Sequence, residues 1–548
     1  ALLSRPVAGV RKQTVILTLP GSPVGAKENL QSVLKLLPHA CQQAAGVDSR
    51  SLHRELDKIK REAETIFPIS QSSFGGYSYS CEHIVSTVLG DEAPHEDFKS
   101  NNSALGPINR NRISPYPMVS ITEALELIKK HSFAPRPVGA TVGASLVGYV
   151  LAEDVTATEA VPAYRASTVD GYAVVAPQYD RLVKGVYTVI SKSTRKFDEK
   201  VDIGAGQIAR ITTGAPLPKS ANAVVMVENT VLRSISEDGC EEKEVEILAH
   251  AIKEGDNVRE VGSDIQIGNI ILKNGEQISA AGGELGLLAS IGKTNVTVYD
   301  RPIVGVLSTG DEIVEHSRTG SLKPGMVRDC NRPTIIAAVQ KLGFHVVDLK
   351  IAKDNTTDLE QVLRDSFSKV DLIITTGGVS MGEHDLLKST IERALGGTIH
   401  FGRVLMKPGK PTTFATIPVN DNNGELTKKL IFSLPGNPVS ALVTLHIFVL
   451  PLLQIASGIS PVGLPKVSVI LENELSLDPQ RPEFHRSIIF FGKDGLLHAI
   501  STGGQRSSRV GSLRMANGLL LLPAGSQALL KGERVEALLI GNLITHDM

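Results

Sequence analysis

Four loops of this chain set glycine, hydroxyl and carboxylate residues directly after apolar runs: STGDE (308–312), KDN (353–355), TTGGVSMGEHD (375–385) and LPGNPVS (434–440). Gly377, Gly378 and Gly436 let backbone N–H groups approach a ligand closely, and the helix N-termini expected to follow favour an anion such as phosphate. Glu312, Asp354 and Asp385 place hard oxygen donors beside those turns, the donor type that Mg2+ selects. Asp311 and Glu383 read instead as capping or solvated positions. LMKPGKP (405–411) adds Lys407 and Lys410, two ammonium groups able to hold an oxyanion, although an exposed loop accommodates the same pair.

STVDGYA (167–173) and RITTGAP (210–216) combine a turn acid with a hydroxyl-rich loop, as either a ligand site or plain β-turns would. HRS (485–487) and SSRVGSLRMANG (507–518) supply arginines and serines that suit an oxyanion and an exposed loop equally.

The elements around these loops follow from hydrophobic period. Between 301 and 456, PIVGVLST, RPTIIAAVQKLG, HVVDLKIA, LEQVLRDSF, VDLIITT and KLIFSL alternate strand-like and helix-like patterns, which predicts a doubly wound parallel sheet. In such a sheet ligands bind beyond the carboxyl ends of the strands, where all four loops fall. Residues 161–266 read as short strands between glycine and proline turns, and 278–292 (ISAAGGELGLLASIG) as a helix. SITEALELIKKHS begins a folded region near Met118, with Ser120 or Thr122 as helix cap. After Pro465, VSVILE, SIIFF, LLHAI, GLLLLP and EALLI predict a small β-barrel-like domain. The fold class expected is thus α/β multidomain, with a doubly wound α/β domain, a β-rich domain, a mixed spine and a C-terminal β-barrel-like domain.

The chain has 548 residues, too many for one core at roughly 150 residues per domain. With 42% hydrophobic residues and a net charge of -1, it is neither a basic nucleic-acid binder nor a disordered chain. Its four scattered cysteines show no C-x-x-C spacing, so no zinc site or disulfide framework is expected, and a reducing, cytoplasmic location fits. VSALVTLHIFVLPLLQIASG (439–458) is apolar enough to suggest a membrane span, yet His446, Pro451 and the preceding glycine turn favour a buried helix. No signal peptide is visible.

LPGSPVGA near the N-terminus repeats LPGNPVSA (434–441), so residues 1–46 read as one strand, turn and helix of a related α/β domain. Residues 70–115, rich in Ser, Gly and Asn, read as a linker.

In order, VDGYA, RITTGAP, GSDI, STGDE, RDCNR, TTGGVSMGEHD, MKPGKP, LPGNPVSA, RPEFHR and SLRMANG make residues 116–548 resemble the molybdopterin molybdenumtransferase family. The layout with a stub and linker is similar to the gephyrin-like members of that family. The resemblance implies a 1–46 fragment of an adenylyltransferase-like domain and a 47–115 linker. It further implies a dimerisation spine (116–160 and 267–300), a β subdomain (161–266), an α/β molybdopterin-binding subdomain (301–456) and a β subdomain (465–548). It implies a homodimer whose site lies between the α/β domain of one subunit and the β and C-terminal domains of its partner. The activity implied is insertion of molybdate into adenylylated molybdopterin with release of AMP, assisted by Mg2+. Adenylyltransferase activity is not expected from residues 1–46.

Carried over by motif, Asp170, Asp264, Glu312, Asp354 and Asp385 are the implied catalytic acids, the last three holding metal. Thr213, Arg259, Gly377, Gly378, Ser380, Pro435, Gly436 and Asn437 are implied for substrate, and Lys407, Lys410, Ser440, Arg486 and Ser512 for molybdate. Receptor-clustering relatives use an Asp and a Phe where this chain has Thr122 and Leu125, so the scaffold alternative is disfavoured. Neither nucleic acid nor membrane insertion is expected.

Overall fold

The computed structural model describes residues 8–11, 14–17, 114–177, 184–190, 202–249, 251–378, 386–420 and 424–544. At the N-terminus the strands Ala8–Arg11 and Thr14–Leu17 form an antiparallel hairpin, where one strand was expected. The LPGSPVGA turn, its following helix and the linker to residue 113 lie outside the described residues.

The α/β region is built on a six-stranded sheet ordered Val346–Ala352, Val304–Thr309, Leu372–Thr376, Leu426–Leu434, Thr413–Asn420, Thr398–Phe401. The first four strands are parallel, and the last two run antiparallel as an edge that the sequence pattern did not reveal. Alternate side chains enter two separate cores. Leu372, Ile374, Leu430 and Phe432 meet Ile335 and Val339 of the helix Asn331–Lys341, whereas Ile373 and Ile431 meet Leu359, Leu363 and Phe367 of the helix Thr356–Phe367. This period of two with both faces covered is why the strands read as continuous apolar runs. Each fully buried side chain of Phe432's size contributes roughly 1.5–3 kcal/mol over leaving it in water.

One helical stretch, Pro438–Ala456, is by length and composition apolar enough to cross a membrane. Val439, Val443, Leu445, Phe448, Leu452 and Leu453 are instead buried in the α/β core. A wide turn over Leu445–Val449 precedes Pro451, whose missing N–H cannot continue the regular ladder.

Ser120 caps the helix Ile121–His131: its Oγ accepts from Glu123 N at 3.1 Å, while Glu123 Oε2 accepts from Ser120 N at 2.7 Å. Ala124 and Ile128 of that helix enter the α/β core. The spine pairs Pro137–Thr141 with Asn295–Tyr299 around Leu151, Ile278, Leu288 and Val298. Only Glu284–Ser290 of the predicted 278–292 helix is helical. Ser279 Oγ accepts from Gly282 N at 2.6 Å and donates to Glu284 Oε2 at 3.0 Å, fixing the two glycines in a turn instead.

Residues 171–247 carry a second six-stranded sheet, mostly antiparallel. At the C-terminus, Lys466–Leu471, Leu497–Ser501, Glu483–Phe491, Gly518–Leu522 and Arg534–Leu539 close into a five-stranded barrel. Its strand Glu483–Phe491 is stitched to the α/β region: Phe484 N donates to Lys407 O at 2.8 Å and Lys407 N to Pro482 O at 2.9 Å.

Candidate functional site

The glycine turns converge at the carboxyl edge of the parallel strands. Gly377 N donates to Leu434 O at 3.3 Å, and Asn331 Nδ2 donates to Gly436 O at 2.8 Å, so the TTGG and LPGN turns lie side by side. Gly377 has φ 92°, and a Cβ there would sit 2.4 Å from Thr309 O; only glycine fits. Gly378 has φ 64°, with Thr309 Oγ1 2.9 Å from a Cβ position. Gly436 meets nothing closer than 3.5 Å and does not require glycine on steric grounds. The motif RDCNR serves this edge from beneath: buried Arg332 bonds Asp329 at 3.0 Å and also pairs with Asp348 and Glu315, fixing the start of the helix that bears Asn331.

Asp311 and Glu312 are exposed on the first loop, and Asp354 is half-buried on the next. Asp311 Oδ1 accepts from Asp354 N at 3.1 Å, a brace between the two loops consistent with its expected structural role. Asn355 caps Thr356–Phe367 through Asp358 N at 2.8 Å. Ser380, Glu383 and Asp385 lie outside the described residues. Among the described residues no group of three His, Cys, Asp or Glu side chains gathers as a metal cluster.

Beside these turns opens a cleft of about 520 Å3, lined among others by Lys407, Lys410, Pro435, Asn437 and Ser440 from the α/β region and by Arg481, Gln505 and Arg506 from the barrel. The structure therefore brings five of the expected residues together. The barrel lines this cleft in cis, whereas the expectation placed the C-terminal domain of a partner subunit at the site. Lys407 Nζ lies 2.8 Å from Glu483 and 3.5 Å from Asp478, and Arg481 lies 2.9 Å from Asp478. The Arg481 hydrogen bond, with two backbone N–H donors, outweighs burial and holds the Asp478 carboxyl at about 2. At Glu483 burial opposes ionisation, yet hydrogen bonds from His485 and Lys407 prevail and keep its pKa below the usual carboxylate value.

Arg486 and Ser512 are buried and do not line the cleft. The Arg486 side chain donates to Ser512 Oγ at 3.1 Å from Nη2, while its Nη1 is buried without a partner. Burial pulls the guanidinium down to about 10, with the Glu483 charge opposing.

In the β region the remaining expected residues form two couples. Asp170 Oδ1 accepts from Thr213 N at 2.8 Å and from Thr213 Oγ1 at 3.3 Å, and Arg259 pairs with Asp264, its Nε donating at 3.2 Å. Both flank the strand Ala166–Ser167: Arg259 stands opposite Ala166, and Gly214 N donates to Ser167 O at 2.8 Å.

The family comparisons follow this layout. Residues 119–292 match the MoeA N-terminal region (domain I and II), 305–455 a probable molybdopterin binding domain, and 468–540 the MoeA C-terminal region (domain IV). Gephyrin of Dictyostelium discoideum is 36% identical over 99% of this chain and 79% of its own length. This chain belongs to the gephyrin and molybdopterin molybdenumtransferase family. The Drosophila melanogaster molybdenum cofactor synthesis protein cinnamon is 33% identical over 96% of the chain and 77% of its own length. Molybdopterin molybdenumtransferase of Haemophilus influenzae is 33% identical over 70% of the chain and 90% of its own. The crystal structure of a molybdopterin biosynthesis MoeA protein from Pyrococcus horikosii superposes with a TM-score of 0.60 at 28% identity, covering 78% of this chain and all of that one. The expected fold and family are thus both found, closed barrel included.

Sequence reasoning missed Gln505 and Arg506; Arg481 stood only within RPEFHR and Ser507 only within SSRVGSLRMANG, neither singled out for the cleft. The only signal was a basic residue within GGQRSS (503–508), a glycine-serine loop between two barrel strands, and nothing local says which domain such a loop faces.

Proposed function

We propose that this chain is a molybdopterin molybdenumtransferase that inserts molybdate into adenylylated molybdopterin and releases AMP. The observation that carries the reading is the cleft: cations and the Ser440 hydroxyl, backed by paired acids, adjoin two glycine turns on one sheet edge. Molybdate is a tetrahedral dianion and loses hydration on binding, so it needs charge-assisted donors of this kind. Lys410 and Lys407 would attract it, Ser440 would donate to an oxygen, and Arg486 with Ser512 would support the wall of the site from the barrel interior. The pterin and its phosphates would lie along Gly377, Gly378, Ser380, Pro435, Gly436 and Asn437, with backbone N–H groups as donors.

Glu312 and Asp354, on loops joined by the contact of Asp311 Oδ1 with Asp354 N, would hold Mg2+ with Asp385, since this ion is commonly bound by one or two carboxylates plus substrate phosphates. When bound, the ion neutralises charge developing on the separating phosphates. Asp170, Thr213, Arg259 and Asp264 would act from the β region of the second subunit of a homodimer on the nucleotide side. A cytoplasmic location fits the free thiols of Cys240 and Cys330. The receptor-scaffold alternative is not favoured: Thr122 is exposed without aromatic surface, and Leu125 packs against the core.

The test is incubation of the purified chain with adenylylated molybdopterin, molybdate and Mg2+. AMP release that depends on molybdate is expected; retention of the adenylylated substrate would overturn the reading.

A further inference from the structure

Four cations line the cleft, and two of them are neutralised by protein acids: Lys407 by Glu483 and Asp478, and Arg481 by Asp478. Lys410 of the α/β loop and Arg506 of the barrel loop are exposed and have no carboxylate partner among the described residues. The cleft's uncompensated charge is therefore that of two side chains, one from each domain, which matches a dianion.

The Arg506 loop is held rather than loose. Gln505 uses both ends of its amide: Oε1 accepts from Arg486 N at 2.9 Å, and Nε2 donates to Arg486 O at 3.3 Å and to Gly503 O at 2.9 Å. Ser507 O accepts from Val439 N at 3.1 Å, docking the loop on the helix that follows LPGNP. Arg506 sits between these two anchors.

We propose that Arg506 is a substrate-anion contact working with Lys410, and that Gln505 is its positioning residue. This rests on the molybdate reading of the cleft. The barrel thereby supplies one arm of the oxyanion site to its own chain, and Arg506 governs affinity for the dianion rather than for the pterin. Arginine suits the role because its planar fork donates two parallel hydrogen bonds to two oxygens of one tetrahedral anion.

The experiment is equilibrium dialysis of sodium molybdate against the purified full chain, with sulfate as competitor. Arg506→Ala is expected to weaken molybdate binding roughly tenfold with an unchanged thermal midpoint, and Arg506→Lys to recover part of it. Gln505→Ala should weaken binding in the same sense, while Gln505→Ala/Arg506→Ala should be no weaker than Arg506→Ala alone, since both act through one contact. Lys410→Ala weakened beside an unaffected Arg506→Ala would overturn this inference and leave the cleft reading standing. Molybdate bound by neither wild type nor variants would overturn the cleft reading itself, and this inference with it.

Discussion

Lys407 and Glu483 form the hinge-pin of the cleft: their side chains meet at 2.8 Å, and the backbone of Lys407 pairs with the barrel strand that begins at Glu483. Glu483 is buried and Lys407 half-buried, so the pair fixes both the position of the Lys407 loop and the seating of the barrel on the α/β region.

Removing the ammonium should therefore cost more than one ligand contact. Lys407→Ala leaves the Glu483 carboxylate with His485 as its remaining partner among the described residues, and a loss of about 1–3 kcal/mol is expected, below the full cost of breaking a buried pair because water reaches Lys407. Denaturant unfolding measures this. Lys407→Ala/Glu483→Gln should recover stability but not molybdate affinity; equal recovery of both would mean that Lys407 serves only as a brace.

Arg486 presents the opposite case. It is fully buried, bonded to a neutral serine hydroxyl, and leaves Nη1 without a partner. An apolar replacement removes that desolvation, so Arg486→Met is expected to be as stable as wild type or more so, while molybdate-dependent turnover falls at least tenfold. A large drop in stability with turnover intact would assign Arg486 to the fold alone.

The acidic loops should tolerate isosteric change structurally and fail chemically. Asp354→Asn is expected to raise the Mg2+ concentration required for AMP release while changing the unfolding free energy by no more than about 0.5 kcal/mol, the usual range for loop substitutions. Turnover at unchanged Mg2+ would remove Asp354 from the metal site.

Gly377 tests the turn itself. With φ 92° and the Thr309 carbonyl 2.4 Å from a Cβ position, Gly377→Ala must move a strand end. A cost of roughly 2 kcal/mol or more is expected from denaturant unfolding. Gly436→Ala, whose Cβ would make only ordinary van der Waals contact with the Gly377 backbone at 3.5 Å, should cost less than about 1 kcal/mol.

Two histidines predict how stability varies with pH. Burial pushes His400 down to about 4, with the nearby His131, Lys130 and Lys428 charges reinforcing it, and burial likewise takes His446 to about 4. Both are neutral in the fold at values where the unfolded chain, at 6.5, is protonated. Their contribution is complete above pH 6.5 and is lost as pH falls from there to about 4. The thermal midpoint should drop across that window, and His400→Gln, keeping a partner for Thr416, should flatten the slope. An equal slope in the variant would exclude His400.

The chain order of elements, the glycine turns at the strand ends and the family were legible in the sequence because each is local. Alternating apolar runs dictate buried parallel strands, and Gly377 and Gly378 announce backbone that side chains cannot adopt. The antiparallel edge Thr413–Asn420 was not legible, since a stretch containing Pro418 and followed by the polar sequence DNNG resembles a loop until its ladder partner is known.

What the sequence alone determined was which residue types are available at the cleft; which of them carry free charge was decided by tertiary structure. Lys407 and Lys410 stand three positions apart and look equivalent, yet the barrel strand delivers Glu483 to one and not to the other. Arg506, nearly a hundred residues away in a glycine-serine loop, joins Lys410 only because Gln505 and Ser507 tie that loop to the barrel and to the helix after LPGNP. Electrostatic pairing depends on distance in space, and no period or spacing in the sequence encodes the docking of one domain's loop on another's.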